Sequence, residues 1–538
     1  MNRLLLTLLL LGFGMVPVQA DPPDPNVDVL HYTFRLTLSD ETDEVRGETT
    51  IVVRFRTDGV TALDLDLIGP AREGDRGMNV TVVMQDDQAV EFTHANDRLH
   101  IALPTPSRMQ EQRTFTITYQ GTPADGLVIS QNKYGERTFF GDNWPNRARH
   151  WLPTIDHPSD KALCEFIITA PNHYQVVGCG TLVEETDLPG GLRLTHWRSE
   201  VPLATKVMVI GAARFAVQYV DQYQGTPIQS WVYPQDREAG FYDYALAKRI
   251  LAFFDDHIGP FPYAKLANVQ SKTRFGGMEN ASNIFYNENS VSGSRRSEGL
   301  MAHEIAHQWF GDSVTEADWP HIWLSEGFAT YFTQLYMEYT YGRDRIVAGM
   351  QQAKGPIFGY FERNPAPLVD TTITNLMGLL NPNSYQKGGW VLHMLRYVVG
   401  NEAFWDGIRA YYRQYRDGNA WTEDFQQVME TASGQDLGWF FQQWIYQAGH
   451  PRYEGAWHYD AASRQLTVTL NQIQTDGTSF RMPIEVGIYT DDTTLPRIEV
   501  LDVDEQQNTF TFTLDDAPTD VVLDPNTWVL MEADFSEQ

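Results

Sequence analysis

The chain has 538 residues, 42% of them hydrophobic, which is too long for one core and implies roughly two to four domains. A formal net charge of −30 repels nucleic acid and anionic lipid and leaves no basic footprint for either. With only Cys164 and Cys179 present, a cysteine-rich metal site and a disulfide scaffold are both excluded, so any metal must be held by His and carboxylate.

Residues 1–20 carry a basic start at Arg3, an apolar run from Leu4 to Leu11 and the small-residue site Val18-Gln19-Ala20, the pattern of a secretory signal. The mature chain is therefore expected to begin at Asp21 and to be periplasmic or secreted. Gly12, Gly14 and Pro17 interrupt the apolar run, which falls short of the roughly 20 residues of a membrane span. No later segment is long and apolar enough, so stable membrane insertion is not expected.

From Val27 to Val220 the chain offers short β-rich runs, TTIVVRF, RTFTITYQ and KVMVIG, separated by Asp-, Gly- and Pro-rich turns. This predicts an all-β domain over 21–220. Inside it, CEFIITAPNHYQVVGC reads as two strands about Pro171-Asn172 that set Cys164 opposite Cys179, as a disulfide or as two free buried thiols. After Pro234 the texture changes. Leu246, Ile250, Phe253 and Phe254 follow helical spacing, and helical segments continue to Gln447, predicting a mostly helical domain over 221–450. Beyond Gly449-His450-Pro451, the alternating runs LTVTL, IEVGIY, TFTFTL and DVVL predict a small β-sandwich over 451–538. The class is thus multidomain α+β.

The chemistry is concentrated in SEGLMAHEIAHQWFG. On a helix, His303 and His307 lie one turn apart on one face, so both imidazoles reach one zinc ion with Glu304 beside them. Eighteen residues after His307 comes Glu326 in WLSEGFATYF, where Phe328, Tyr331, Phe332 and Leu335 predict a second helix packed on the first. Two His and one Glu leave the fourth tetrahedral position to water, whose pKa zinc lowers to about 7, so the expected site is catalytic.

These motifs resemble the aminopeptidase N family of zinc peptidases, which includes the leukotriene hydrolases. The resemblance rests on HExxH followed by Glu326 within a WLxEGFA run, on Gly276-Gly277-Met278-Glu279-Asn280, on Tyr385-Gln386-Lys387-Gly388, on WIYQAGHP and on WLPTIDHPSDKA. It implies a saddle-like N-terminal β domain and a thermolysin-like catalytic domain. It implies one Zn²⁺ held by His303, His307 and Glu326, with Glu304 as general base and Tyr385 as donor to the developing oxyanion. Gly276, Gly277, Met278, Glu279 and Asn280 are then the substrate-binding segment, in which Glu279 holds the ammonium of a peptide with a free N-terminus and Met278 walls the first pocket.

One departure from the family concerns a Gln or Glu that commonly helps to hold the amino end. Aligned on Arg149, Trp144 stands there; the alternatives are that Asn143 or Asp142 takes over, or that the tryptophan narrows the first pocket. The sequence also stops after the sandwich, where many relatives continue into a helical domain that caps the site, so a more open cleft is expected. Competing readings are a thermolysin-type endopeptidase, an epoxide hydrolase side activity and a non-catalytic peptide-binding protein. Glu279 argues against the first, and intact Glu304 and ligands argue against the last.

Overall fold

The computed structural model describes residues 22–538 apart from 72–73 and 492–494. The signal expected over 1–20 lies outside the described residues, and among those residues no helix is long and apolar enough to cross a membrane. The N-terminal domain is built on strands whose side chains alternate. In β2 (Val45–Phe55), Val45, Gly47, Thr49, Ile51, Val53 and Phe55 are buried while the residues between them face outward. β2 lies between β1 (Val27–Thr37) and β3 (Gln112–Thr122), both antiparallel to it, in an eight-stranded sheet.

β4 (Leu163–Pro171) joins the same sheet parallel to β1. The hairpin expected about Pro171-Asn172 does not form. After Pro171 the chain crosses to a second, four-stranded sheet, where Gln175–Gly178 pairs with Ile210–Ala213. Cys164 on β4 and Cys179, just past Gly178, nonetheless meet as expected, as buried free thiols in hydrogen-bond contact.

The helical domain begins earlier than its texture suggests, because β5 (Ala216–Tyr223) pairs with β6 (Thr226–Val232) rather than with the N-terminal sheets. These two strands open a five-stranded sheet completed by β7 (Leu266–Ser271), β9 (Asn283–Asn287) and, at its edge, β8 (Gly277–Met278). β7 is buried along its whole length, as a central strand covered on both faces must be. Its polar residues are accommodated by bonds: Gln270 Nε2 donates to the Glu288 carbonyl at 2.9 Å and Asn268 Nδ2 to the Gln229 carbonyl at 3.3 Å.

α1 (Glu298–His307) packs on β8 of this sheet, α2 (Trp323–Tyr341) packs on α1, and α3 (Gly388–Val399) packs on α2. α2 and α3 cross where Gly327 meets Gly388; a Cβ on Gly327 would lie 2.9 Å from backbone atoms of Gly388, so only glycine allows this approach. Past Pro451, a four-stranded and a three-stranded sheet form the C-terminal sandwich.

Two lysines of the N-terminal domain dock it onto the helical domain. Lys161 Nζ donates to the carbonyls of Asp312 at 2.9 Å and Ser313 at 2.8 Å, and Lys206 Nζ donates to Glu316 Oε1 at 2.5 Å. Both side chains of the Lys206–Glu316 pair are almost wholly withdrawn from solvent. Lys206→Met leaves Glu316 charged in a dry setting and is expected to lower stability by about 3–5 kcal/mol in urea unfolding. The double variant Lys206→Met, Glu316→Leu should regain most of that; an equal loss in both variants would refute the pair as the cause.

Candidate active site

α1 starts with Glu298 in its first turn, where a carboxylate complements the helix dipole. That carboxylate also accepts bonds from the hydroxyls of Tyr336 and Tyr341 on α2, both at 2.6 Å, and pairs with Arg249. The two helices are thus tied together at one end, and at the other they present His303, His307 and Glu326 to a common point.

His303 Nε2 and His307 Nε2 are 3.1 Å apart. Glu326 Oε2 stands 3.4 Å from the first and 3.3 Å from the second, and has no hydrogen-bond donor of its own. Three donors on a tetrahedral zinc ion, with bonds near 2.0–2.1 Å, are separated by about 3.3 Å, so the spacing suits that ion. His307 Nδ1 lies 3.1 Å from the Phe310 carbonyl, which only accepts, so Nδ1 carries the proton and Nε2 presents its lone pair. Glu326 Oε1 accepts from the Tyr385 hydroxyl at 2.8 Å, and the Tyr385 ring stacks on His303 at 5.9 Å between centroids. Tyr385 reaches this place because Gly388, three residues on, is the glycine pressed against Gly327.

Glu304 points from α1 toward β8. A Cβ on Gly277 would fall 2.3 Å from Glu304 Oε1, so the backbone of Gly277 lies directly on the carboxylate. Burial raises the Glu304 pKa and the nearby Glu279 and Glu326 add to it, with His307 opposing. The Tyr385 phenol is raised by burial and by Glu326, which keeps it protonated and able to donate. His307 is pushed up to about 10: burial alone would lower it, but Glu279, Glu326 and Glu304 outweigh burial. The surroundings therefore favour positive charge at His307, whereas burial, with His307 beside it, lowers His303.

Glu279 follows β8 and is 5% exposed, with Oε1 lacking any hydrogen-bond partner. Its backbone is held by Gln308, whose Nε2 donates to the Glu279 carbonyl at 2.5 Å and to Asp312 Oδ2 at 2.9 Å, while Oε1 accepts from Ser282 N at 2.8 Å. Ligand atoms of Glu279, Glu304 and His307 all lie within 4.8 Å of one another.

These groups line a cavity of about 250 Å³, whose wall includes Gly276, Gly277, Met278, Glu279, His303, Glu304, His307, Glu326 and Tyr385. Asn280, expected among the substrate-binding residues, is not in that wall. It is fully buried behind Glu279, because the turn into β9 carries its side chain inward. Trp144 does line the cavity, whereas its neighbours are engaged elsewhere. Asn143 donates to the Thr205 and Met208 carbonyls, and Asp142 pairs with Arg147 and Arg274. Sequence reasoning missed Phe275, Leu300 and Leu380 in the wall, and Gln308 behind it. Only Gln308 left a signal, as an amide adjoining the second histidine.

Comparison with known proteins agrees with this geometry. Residues 242–444 match the family model described as the Peptidase family M1 domain, and residues 29–207 match the Peptidase M1 N-terminal domain. Similar proteins include "Aminopeptidase M1" of Arabidopsis thaliana, 25% identical over 435 residues that make up 73% of this chain and 48% of that protein. "Probable aminopeptidase 2" of Sulfurisphaera tokodaii is 26% identical across 70% of this chain and 49% of its own length. "Glutamyl aminopeptidase" of Sus scrofa is 26% identical across 58% of this chain and 34% of its own. The chain thus spans about half or less of the length of these curated relatives. Among solved structures, Legionella pneumophila aminopeptidase A in complex with aspartic acid shares the fold, with a TM-score of 0.83 and 19% identity, covering 96% of this chain and 60% of that one.

The arrangement predicts that the protein, loaded with Zn²⁺ and dialysed, retains about one ion per molecule. His303→Ala and His307→Ala should retain almost none by elemental analysis, and undiminished metal in both variants would dismiss the site.

Proposed function

Since the chain belongs to the M1 family of peptidases, we propose that it is a zinc-dependent aminopeptidase that hydrolyses the first peptide bond of substrates with a free N-terminus. The observation that carries this reading is the unpartnered carboxylate oxygen of Glu279 in the same small cavity as the His303, His307 and Glu326 donor set. An ammonium nitrogen and the first carbonyl carbon of a peptide are about 2.5 Å apart, two bonds along the backbone. Glu279 and His307 offer ligand atoms within 4.8 Å of each other, so a chain end held by Glu279 brings its first carbonyl to the histidines and no later one.

Zn²⁺ held by His303, His307 and Glu326 supplies Lewis acidity at the scissile carbonyl and lowers the pKa of water to about 7. Glu304 takes the proton from the attacking water and returns it to the departing amine. The Tyr385 hydroxyl donates to the carbonyl oxygen as that oxygen becomes negative. Glu279 fixes register by charge: an ammonium neutralises a buried carboxylate, and an acetylated end does not. Burial of Glu279, Glu304, His307 and Glu326 strengthens each of these interactions. The leader pattern in residues 1–20 supports action outside the cytoplasm.

The test is a set of amino-acid anilides with and without N-acetylation, with zinc and with chelator. Free-amine substrates should be cleaved, acetylated ones spared, and chelation should abolish turnover; cleavage of blocked substrates or internal bonds would replace this reading with an endopeptidase. Glu304→Ala should keep its metal and lose about 10²–10⁴-fold in kcat. Glu279→Ala should lose about 100-fold in kcat/KM, since its partner ammonium is then buried unpaired. Near-normal turnover in either variant contradicts the role given to that residue.

A further inference from the structure

The part of the cavity not occupied by charged groups is walled by Trp144, Phe275, Met278, Leu300 and Leu380. In the aminopeptidase reading, on which this inference rests, the side chain of the first residue enters that region. We propose that the site selects peptides beginning with an uncharged aliphatic residue such as Ala, Leu or Met and rejects those beginning with Asp or Glu, and that Trp144 is the residue that sets the size limit.

The argument against acidic residues is one of charge. Arg147 lies against Phe275 of this wall, and both it and Arg274 are already paired with carboxylates. Arg147 NH2 is 2.7 Å from Asp142 and its NH1 3.4 Å from Asp125, while its Nε donates to the Trp144 carbonyl at 2.7 Å. Arg274 pairs with the same two aspartates. Two cations therefore face two anions, with Arg147 lying over the outer side of Phe275, 5.9 Å from its ring centroid. Lys206 is paired with Glu316. No lysine or arginine is part of the cavity wall, which does contain Glu279, Glu304 and Glu326. A carboxylate entering with the substrate would lose its water, gain no cation and meet three acids. A cationic side chain fares little better in the apolar part, since Asp142 and Asp125 behind it are held by the arginines.

The argument about size concerns the indole. Trp144 is 2% exposed and packed edge to face against Phe275 and Trp319, each with centroids 6.1 Å away. Trp319 is itself pinned between His157, 6.3 Å away, and the Lys206 ammonium, 6.0 Å from its centroid. With neighbours on two sides the indole cannot swing out, so it closes the cavity at about 250 Å³, a space shared with the ammonium and the scissile carbonyl. Its free Nε1–H is a donor, as is every N–H of an ammonium, so Trp144 cannot share the amino end with Glu279. That leaves it as a wall.

The zinc-loaded protein should be assayed with anilides of Ala, Leu, Met, Phe, Lys and Glu. Leu and Met should exceed Glu by about 100-fold or more in kcat/KM and exceed Phe by about 10-fold. Trp144→Ala should raise the Phe/Leu ratio by about 10-fold, and Trp144→Phe should raise it less. A Glu substrate within about 10-fold of Leu, or a Phe/Leu ratio unmoved in both variants, overturns the proposal. If Trp144→Ala does not fold, by circular dichroism, the Leu/Glu ratio of the unaltered protein and the Trp144→Phe variant decide it. Turnover with a different order of preference removes this inference and leaves the aminopeptidase reading standing; no turnover of any free-amine substrate removes both.

Discussion

Buried negative charge organises this molecule. Glu279, Glu304 and Glu326, each at most 5% exposed, surround two imidazoles in a cavity walled otherwise by apolar side chains. Two carboxylates about 4 Å apart repel by about 4 kcal/mol at an effective dielectric near 20, so such a cluster is tolerable only where positive charge arrives to compensate it. In the proposed reaction a divalent ion supplies part of that charge and the substrate's own ammonium the rest. In that proposal the same imbalance of charge favours a cationic chain end.

Holding these acids in register requires backbone where side chains would normally intervene. Gly277 lies against the Glu304 carboxylate, and Gly327 lies against Gly388 so that Tyr385 can reach Glu326. Gln308 completes the arrangement by bonding at once to the Glu279 carbonyl, Asp312 and Ser282 N. One amide thus couples the helix bearing the histidines to the segment bearing Glu279. Each contact is short and none has slack, which is how a small number of residues can fix positions to within a few tenths of an ångström.

The N-terminal domain is more than a support. Trp144 comes from it and closes one side of the cavity, and its Arg147 and Asp142 neutralise charge immediately behind that wall. Lys161 and Lys206 clamp the segment between His307 and Glu326, the stretch that must hold its length for both ends to meet at one point. The cavity wall is therefore shared between two domains, while the groups proposed to act on the peptide bond all come from one.

From residue order alone, the alternation in Val45–Phe55, the helical repeat after Pro234 and the spacing of His303, His307 and Glu326 were legible, because each is a local periodicity with a direct physical consequence. The buried strand Leu266–Ser271 was not, since its Asn, Gln and Ser are satisfied by partners far along the chain and leave neither alternation nor an apolar run. Nor was the route by which Cys164 and Cys179 meet, which depends on a crossing between sheets that nothing near Pro171 encodes. The inward turn of Asn280 and the gathering of Trp144, Phe275, Leu300 and Leu380 into one wall were likewise decided by tertiary structure. Short-range spacing determines which donors can share an ion; which surfaces enclose it is a matter of long-range packing, and that exists only once separate elements have found each other.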